Sequence, residues 1–150
     1  MYSAIRRGWN NPESTLTGCP FVMDHSPQVI YHLVSAGYYQ QQPSDQPYTP
    51  ENFAREGFVH CTAELALLVE IANTFFINLP DQLLVLEISP PHLTAPLKFE
   101  PPIPPAGTEN TPGPDADVLF PHIYGPVNRD AIIDVYPLQQ NESGRWQWNR

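Results

Sequence analysis

The sequence predicts an α+β fold on three observations. Short apolar runs bounded by turn residues recur at Val29–Val34, Phe58–Cys61, Leu83–Ile88, Phe120–Tyr124 and Ala131–Tyr136, the length and punctuation of strands. Only Ala63–Phe76 carries helical apolar spacing over several turns. Glu100–Asp117 holds six prolines and two glycines and reads as one long loop, of the kind that is functional or mobile in a compact domain. At 150 residues the chain can bury a real core. It divides into an N-terminal tail at 1–28, a single α+β domain at 29–138 and a C-terminal tail at 139–150.

In chain order, residues 1–28 are rich in coil formers, with Trp9 and Phe21 as the side chains able to pack onto the body. After the first strand, Tyr38–Pro50 is rich in Gln, Pro and Tyr and reads as a loop. Thr49 and Pro50 then match the N-cap and first position of a short helix, which Gly57 ends in the left-handed conformation. In the long helix, Leu65, Leu68, Val69, Ala72 and Phe76 form the core stripe, with Thr62 at the cap. The nearly unbroken apolar run Leu83–Ile88 predicts a central strand, and Ser89-Pro90-Pro91 ends it with one helical turn. Pro96–Glu100 predicts a short edge strand. Pro121 removes a ladder donor and predicts an edge or a bulge for Phe120–Tyr124. Gln139–Arg150 is polar throughout and predicts a tail.

Composition narrows the function. The formal net charge is −9, with seven Lys and Arg in all, and four of those (Arg6, Arg7, Arg145, Arg150) fall in the tails. Nucleic-acid binding needs a basic face to displace counterions, so it is set aside. No apolar run is long enough for a membrane span. Arg6 and Arg7 are followed by a polar stretch, which predicts no secretory leader. Cys19 and Cys61 make no disulfide framework, so the expected location is cytoplasmic.

Three of the five histidines sit inside expected strands: His32, His60 and His122. Alternation puts Phe58, His60 and Thr62 on one face and Val59 and Cys61 on the other, making Cys61 a core thiol. The His60-x-Thr62 pair sets an imidazole beside a hydroxyl, which suits gripping a phosphate or polarising an oxygen. Two-histidine phosphoesterases carry that pattern twice, whereas here the counterpart is His122-Ile123-Tyr124. Three histidines with Glu87 also match a zinc donor set, though no compact ligand spacing supports one. The plain alternative is that each histidine is buried and hydrogen-bonded. No glycine-rich phosphate loop appears, so Tyr124, Arg129 and the histidines are the groups available to hold a nucleotide.

The strings Ile30-Tyr31-His32-Leu33, Glu56-Gly57-Phe58-Val59-His60-Cys61-Thr62, Leu84-Val85-Leu86-Glu87-Ile88 and Phe120-Pro121-His122-Ile123-Tyr124-Gly125-Pro126 together resemble the domain-of-unknown-function 952 family of small bacterial proteins. The resemblance covers about residues 29–138. It implies a split, mixed sheet similar to that of the ADP-ribosyltransferases, with a cleft between its halves, and no established activity. By that analogy His32 and His60 match positions on the first two core strands, and Glu87 or Glu100 stands for a later glutamate. The arginines that grip phosphate elsewhere are missing, and NAD enters by fold analogy alone. Tyr38–Pro50 replaces the short helix that relatives carry after the first strand.

The resulting expectation is a cytosolic protein with a histidine-lined cleft that binds a nucleotide-like or phosphorylated small molecule and acts on it by acid/base chemistry, as a transferase or phosphoesterase. His60 is the acid/base group, His32 and His122 complete the catalytic set, and Thr62, Tyr124, Glu87 and Arg129 bind ligand, with no metal. A non-catalytic ligand-binding or protein-interaction module is the alternative, and a histidine/carboxylate metalloenzyme is the third. Oligomeric state is left open.

Overall fold

The computed structural model describes residues 27–148 apart from 106, 109, 111, 112, 114 and 116. Most of the N-terminal tail, with Trp9, Cys19, Phe21 and His25, lies outside the described residues.

The strands are β1 (Ile30–Ser35), β2 (Val59–His60), β3 (Leu83–Ile88), β4 (Leu97–Glu100), β5 (Phe120–Ile123) and β6 (Ile132–Pro137), with a late hairpin of β7 (Gln139–Gln140) and β8 (Trp146–Gln147). The helices are α1 (Ala36–Gln41), α2 (Phe53–Glu56) and α3 (Leu65–Phe75). One three-stranded sheet has the order β1-β3-β6 and the other β2-β5-β4. The α+β class is as the sequence predicts. Every strand pairing among the described residues is antiparallel, which corrects the expected mixed sheet. The cause is the course of α3: it joins β2 to β3, which lie in different sheets, so no parallel crossover forms within either one.

Among the described residues, one backbone bridge joins the sheets. Tyr31 N donates to Thr62 O and Thr62 N to Tyr31 O, both at 2.8 Å. Thr62 therefore ends β2 against the free edge of β1. It is not the cap of α3, whose N-cap position is Glu64.

The apolar run of β3 is buried on both faces, as expected. Leu84, Leu86 and Ile88 join one core with Ile30, Val59, Cys61 and Ile123, while Leu83 and Val85 join a second with Leu68 and Ala72 of α3. In the predicted stripe of α3, Leu68 and Ala72 are the fully buried members, and Leu65 and Phe76 pack at the margin.

Four local expectations are corrected. Tyr38–Gln41 is helical, because the Ser35 side chain accepts from Tyr38 N at 3.4 Å and the helix start is tied to Gln82 O and Asp81. The helix expected at Thr49-Pro50 starts at Phe53, and Thr49 exchanges hydrogen bonds with the Gln42 side chain instead. Gly57 does end that helix, at φ +82°. β5 is the central strand of its sheet despite Pro121: the Pro121 carbonyl still accepts from Cys61 N at 3.0 Å, and only the reciprocal donor is lost, at the end of the two-residue β2. Finally, 139–148 is not a free tail. Trp146 is buried in the second core, its indole N–H donates to Phe76 O at 2.9 Å, and Asn73 bonds its backbone in both directions.

Candidate functional site

His60 on β2 and His122 on β5 are direct cross-strand partners, so both imidazoles leave the sheet on the same side. Their ring centroids are 5.8 Å apart, edge to face. Phe58, two residues before His60 and so on the same face, lies against both rings at 4.6 and 4.4 Å. Packing against one buried phenyl ring fixes the two ring planes.

Each of these imidazoles is held by a carboxylate. His60 Nε2 lies 3.0 Å from Glu56 Oε2, and His122 Nδ1 lies 2.9 Å from Glu100 Oε1. An ionised carboxylate only accepts, so these ring nitrogens carry the protons. His60 Nδ1 and His122 Nε2 then present lone pairs, with no hydrogen-bond partner among the described residues. Gly57 brings Glu56 to His60 by reversing the chain between them. Glu100 reaches His122 because β4 pairs with β5, and the Tyr124 hydroxyl donates to the same Glu100 oxygen at 2.5 Å. Hydrogen bonds from Tyr124 and then His122 hold the Glu100 carboxyl below the usual range, and that bond to Glu100 raises the Tyr124 phenol. Burial lowers His122, against the opposing pull of Glu100, so it is a neutral base at physiological pH.

His32 is elsewhere. It shares the face of β1 with Ile30 and Val34, the face of the first core, while His60 points the opposite way to its neighbours Val59 and Cys61 in that core. Both His32 ring nitrogens are used: Nδ1 donates to the His60 carbonyl at 2.7 Å, and Nε2 accepts from the Tyr48 hydroxyl at 2.8 Å. Burial pushes its pKa down to about 4. All three imidazoles line one cavity, but only His60 and His122 pair across strands, while both His32 ring nitrogens are engaged.

A cavity of about 480 Å³ opens beside the pair. Its lining includes His60, His122, Glu56 and Thr62, then Leu68, Ile71 and Phe75 of α3, and Ile103 of the Pro-rich loop. His32 borders it with its polar atoms already engaged. Thr62 is 4 % exposed, and its hydroxyl makes no hydrogen bond among the described residues. Tyr124 is joined to the site through Glu100 rather than through the cavity wall.

The two other expected ligand-binding residues are not brought to this site. Glu87 accepts from the Tyr136 hydroxyl at 2.7 Å and pairs with Tyr31, on the α3 side of the first sheet. Arg129 clamps a loop, donating to Gln46 O, Pro43 O and the Tyr39 hydroxyl. The metal set of His32, His60, His122 and Glu87 is not assembled either: among the described residues no three His, Cys, Asp or Glu side chains converge as ligands would. Sequence reasoning missed Glu56 as a partner of His60. Its signal was the spacing of four across a glycine, which reads as a helix end until the turn is known.

The sequence model of the protein family of unknown function DUF952 matches residues 33–135. Two solved structures share the fold, the protein CC0527 of Caulobacter crescentus and a double-methionine variant of it. They are 21 % and 20 % identical to this chain, each over 79 % of this chain and 93 % of the other, with a TM-score of 0.60. No curated protein matches the chain at a significant level.

Proposed function

We propose a function for a chain that belongs to the DUF952 family of proteins of unknown function: its cavity is a small-molecule site at which His60 and His122 exchange protons with the ligand. The observation that carries this reading is a pair of imidazoles lining one cavity, each oriented by a carboxylate at one nitrogen and without a partner at the other among the described residues. A carboxylate behind an imidazole fixes its tautomer and stabilises the cation formed when the other nitrogen takes a proton. Two such groups 5.8 Å apart allow one to remove a proton while the other delivers one to the same substrate. Glu56, Glu100 and Phe58 act as positioning residues, and His32 acts one step further back, on the strand that carries His60.

Fold likeness to ADP-ribosyltransferases, implied by the sequence resemblance, contributes no activity to this proposal. NAD-dependent transfer is left out of it, because no Arg or Lys lines the cavity among the described residues. No helix among them is long and apolar enough to cross a membrane. The buried free thiol of Cys61 fits the reducing cytosol in which the proposal sets the protein.

The test is a thermal-shift screen of small metabolites followed by NMR of histidine-labelled protein with each hit. Hits are expected to move the ring resonances of both His60 and His122. His60→Gln and His122→Gln should each weaken the response at least tenfold. Hits that leave both rings unmoved sink the reading. Turnover lost in either variant favours an enzyme; binding without turnover favours the non-catalytic module.

A further inference from the structure

The shape and polarity of the cavity narrow the ligand class, an inference that rests on the proposed site. On α3, Leu68, Ile71 and Phe75 stand at helical spacing and line the cavity as one apolar wall. From Leu68 to Phe75 the helix rises about 10 Å, at roughly 1.5 Å per residue. Ile103 adds apolar surface from the Pro-rich loop. Among the polar residues that line the cavity, Thr62 lies just before α3 and His60 two residues before Thr62, while Tyr31, Ser35 and Asn52 line it from elsewhere in the chain. A mostly apolar pocket with a few convergent polar groups is the usual form of a small-molecule site.

The polar groups are of an unusual kind for a phosphate site. Among the described residues, the wall contains no Lys or Arg but does contain Glu51 and Glu56. Lys98, on the same face as His122 through their cross-strand pairing, is drawn off: its ammonium sits 4.8 Å from the Tyr124 ring centroid, beside Glu100. An anion moved from water into such a pocket has no countercharge to offset its desolvation. The chain's charge of −9 repels it before it arrives. A neutral oxygen-bearing group meets what it needs. It finds a donor in the Thr62 hydroxyl, which is buried and has no side-chain partner among the described residues, and acceptors in the lone pairs of His60 Nδ1 and His122 Nε2.

We propose that the cavity takes an uncharged amphiphile, with a medium-length apolar tail along Leu68, Ile71 and Phe75 and an amide or alcohol head at Thr62, His60 and His122. The head is then the part of the ligand that trades protons with the imidazole pair. A phosphorylated ligand is the competing class, and the head group decides between them.

The experiment holds the tail constant and varies the head. Octanamide, octylamine, octanoate and octyl phosphate, each below its micellar concentration, are titrated into the full-length protein by calorimetry, with inorganic phosphate as a tail-free probe. The expected result is saturable binding of octanamide, at least tenfold weaker binding of octanoate and octyl phosphate, and no response to phosphate. Thr62→Val keeps volume and breaks no side-chain hydrogen bond, so the variant should fold and bind octanamide about tenfold more weakly. Ile71→Asn should weaken all four octyl probes alike. Tighter binding of octyl phosphate, octanoate or octylamine than of octanamide overturns the inference, as does unchanged octanamide binding in Thr62→Val or no binding by any octyl probe. Octanamide that binds as expected while the His60 and His122 ring resonances stay still preserves the ligand class and removes the proton-exchange reading, so the two fail separately.

Discussion

His32 holds the backbone of His60, not its side chain: a buried imidazole donates to the carbonyl of the residue whose own imidazole faces the cavity, at 2.7 Å. The carbonyl can only accept, and the neutral ring's other nitrogen must then accept from Tyr48. One tautomer satisfies both contacts, and protonating the ring breaks the second.

That arrangement makes stability fall in mild acid. An unfolded His32 takes up a proton below its ordinary value near 6.5, while the folded ring resists until about pH 4. Between these values the unfolded state binds more protons, so stability rises with pH and is lost as pH falls from 6.5 to 4. The depressed His122 acts in the same direction. His32 alone should contribute a loss of about 3 kcal/mol across the window. Urea melts at half-unit pH steps should show the slope, and His32→Gln should flatten most of it. An unchanged slope in the variant counts against a neutral buried His32.

Glu100 should set the titration of two rings at once. Replacing it with Gln removes the charge that raises both His122 and Tyr124. In Glu100→Gln, both groups should titrate at lower pH than in the native protein, with the His32 titration unmoved. Ring-carbon NMR for the histidine and ultraviolet absorbance for the phenol read the two shifts independently.

Cys61 should behave as a core group. Its thiol is buried in the first core, and burial pushes its pKa up. In native protein, mass spectrometry should find the Cys61 peptide unlabelled by a thiol alkylator until denaturant is added. Cys61→Ala should cost about 1–2 kcal/mol through lost packing while leaving the imidazole resonances in place.

Arg129 should resist its conservative replacement. Its guanidinium reaches two carbonyls and a phenol oxygen at once, a planar fork that lysine lacks. Arg129→Lys should cost about 1–3 kcal/mol and raise the rate of proteolytic nicking within 42–48. Equal nicking in both proteins argues against the clamp.

The late hairpin should prove part of the folding unit. Truncation after Leu138 removes the buried Trp146 and strands Asn73, so the loss should be at least the 3–5 kcal/mol typical of a deleted core tryptophan. A truncated chain that melts where the full chain does contradicts this.

The parts of this fold legible in the sequence are those where burial and period agree. Leu83–Ile88 is apolar because both its faces are covered, and the strand is bounded as predicted. Phe58, His60 and Cys61 sort to the expected faces because a strand of any length alternates. What hid were elements held by single contacts. α1 reads Ala-Gly-Tyr-Tyr-Gln-Gln, with no apolar period, and exists through its Ser35 cap and its anchorage to Asp81 and Gln82. Trp146 is one buried residue in a polar run, visible only once α3 is there to receive it. The histidine pair was legible as strand histidines. The separation of His32 from it was not, because the faces of two strands can be compared only when their sheets and their common bridge are known. Glu56 and Glu100 could not be assigned as partners from spacing, since a left-handed turn and a cross-strand register bring them to their histidines.

The pairing order of the strands bears on how the chain is made. β1 waits for β3, which begins at Leu83, and β2 waits for β5, which begins at Phe120. Among the described residues, only β4 with β5 and β7 with β8 join neighbours in the chain. During synthesis, the strand that carries His60 emerges from the ribosome with only the Tyr31–Thr62 bridge to β1 available to it until the Pro-rich loop has followed it out. Such long-range closure is slow. The apolar residues of β1 are open to other chains until Leu83–Ile88 emerges and those of β2 until Phe120–Ile123 does, so nascent-chain capture by a chaperone should fall in two steps as these segments clear the tunnel.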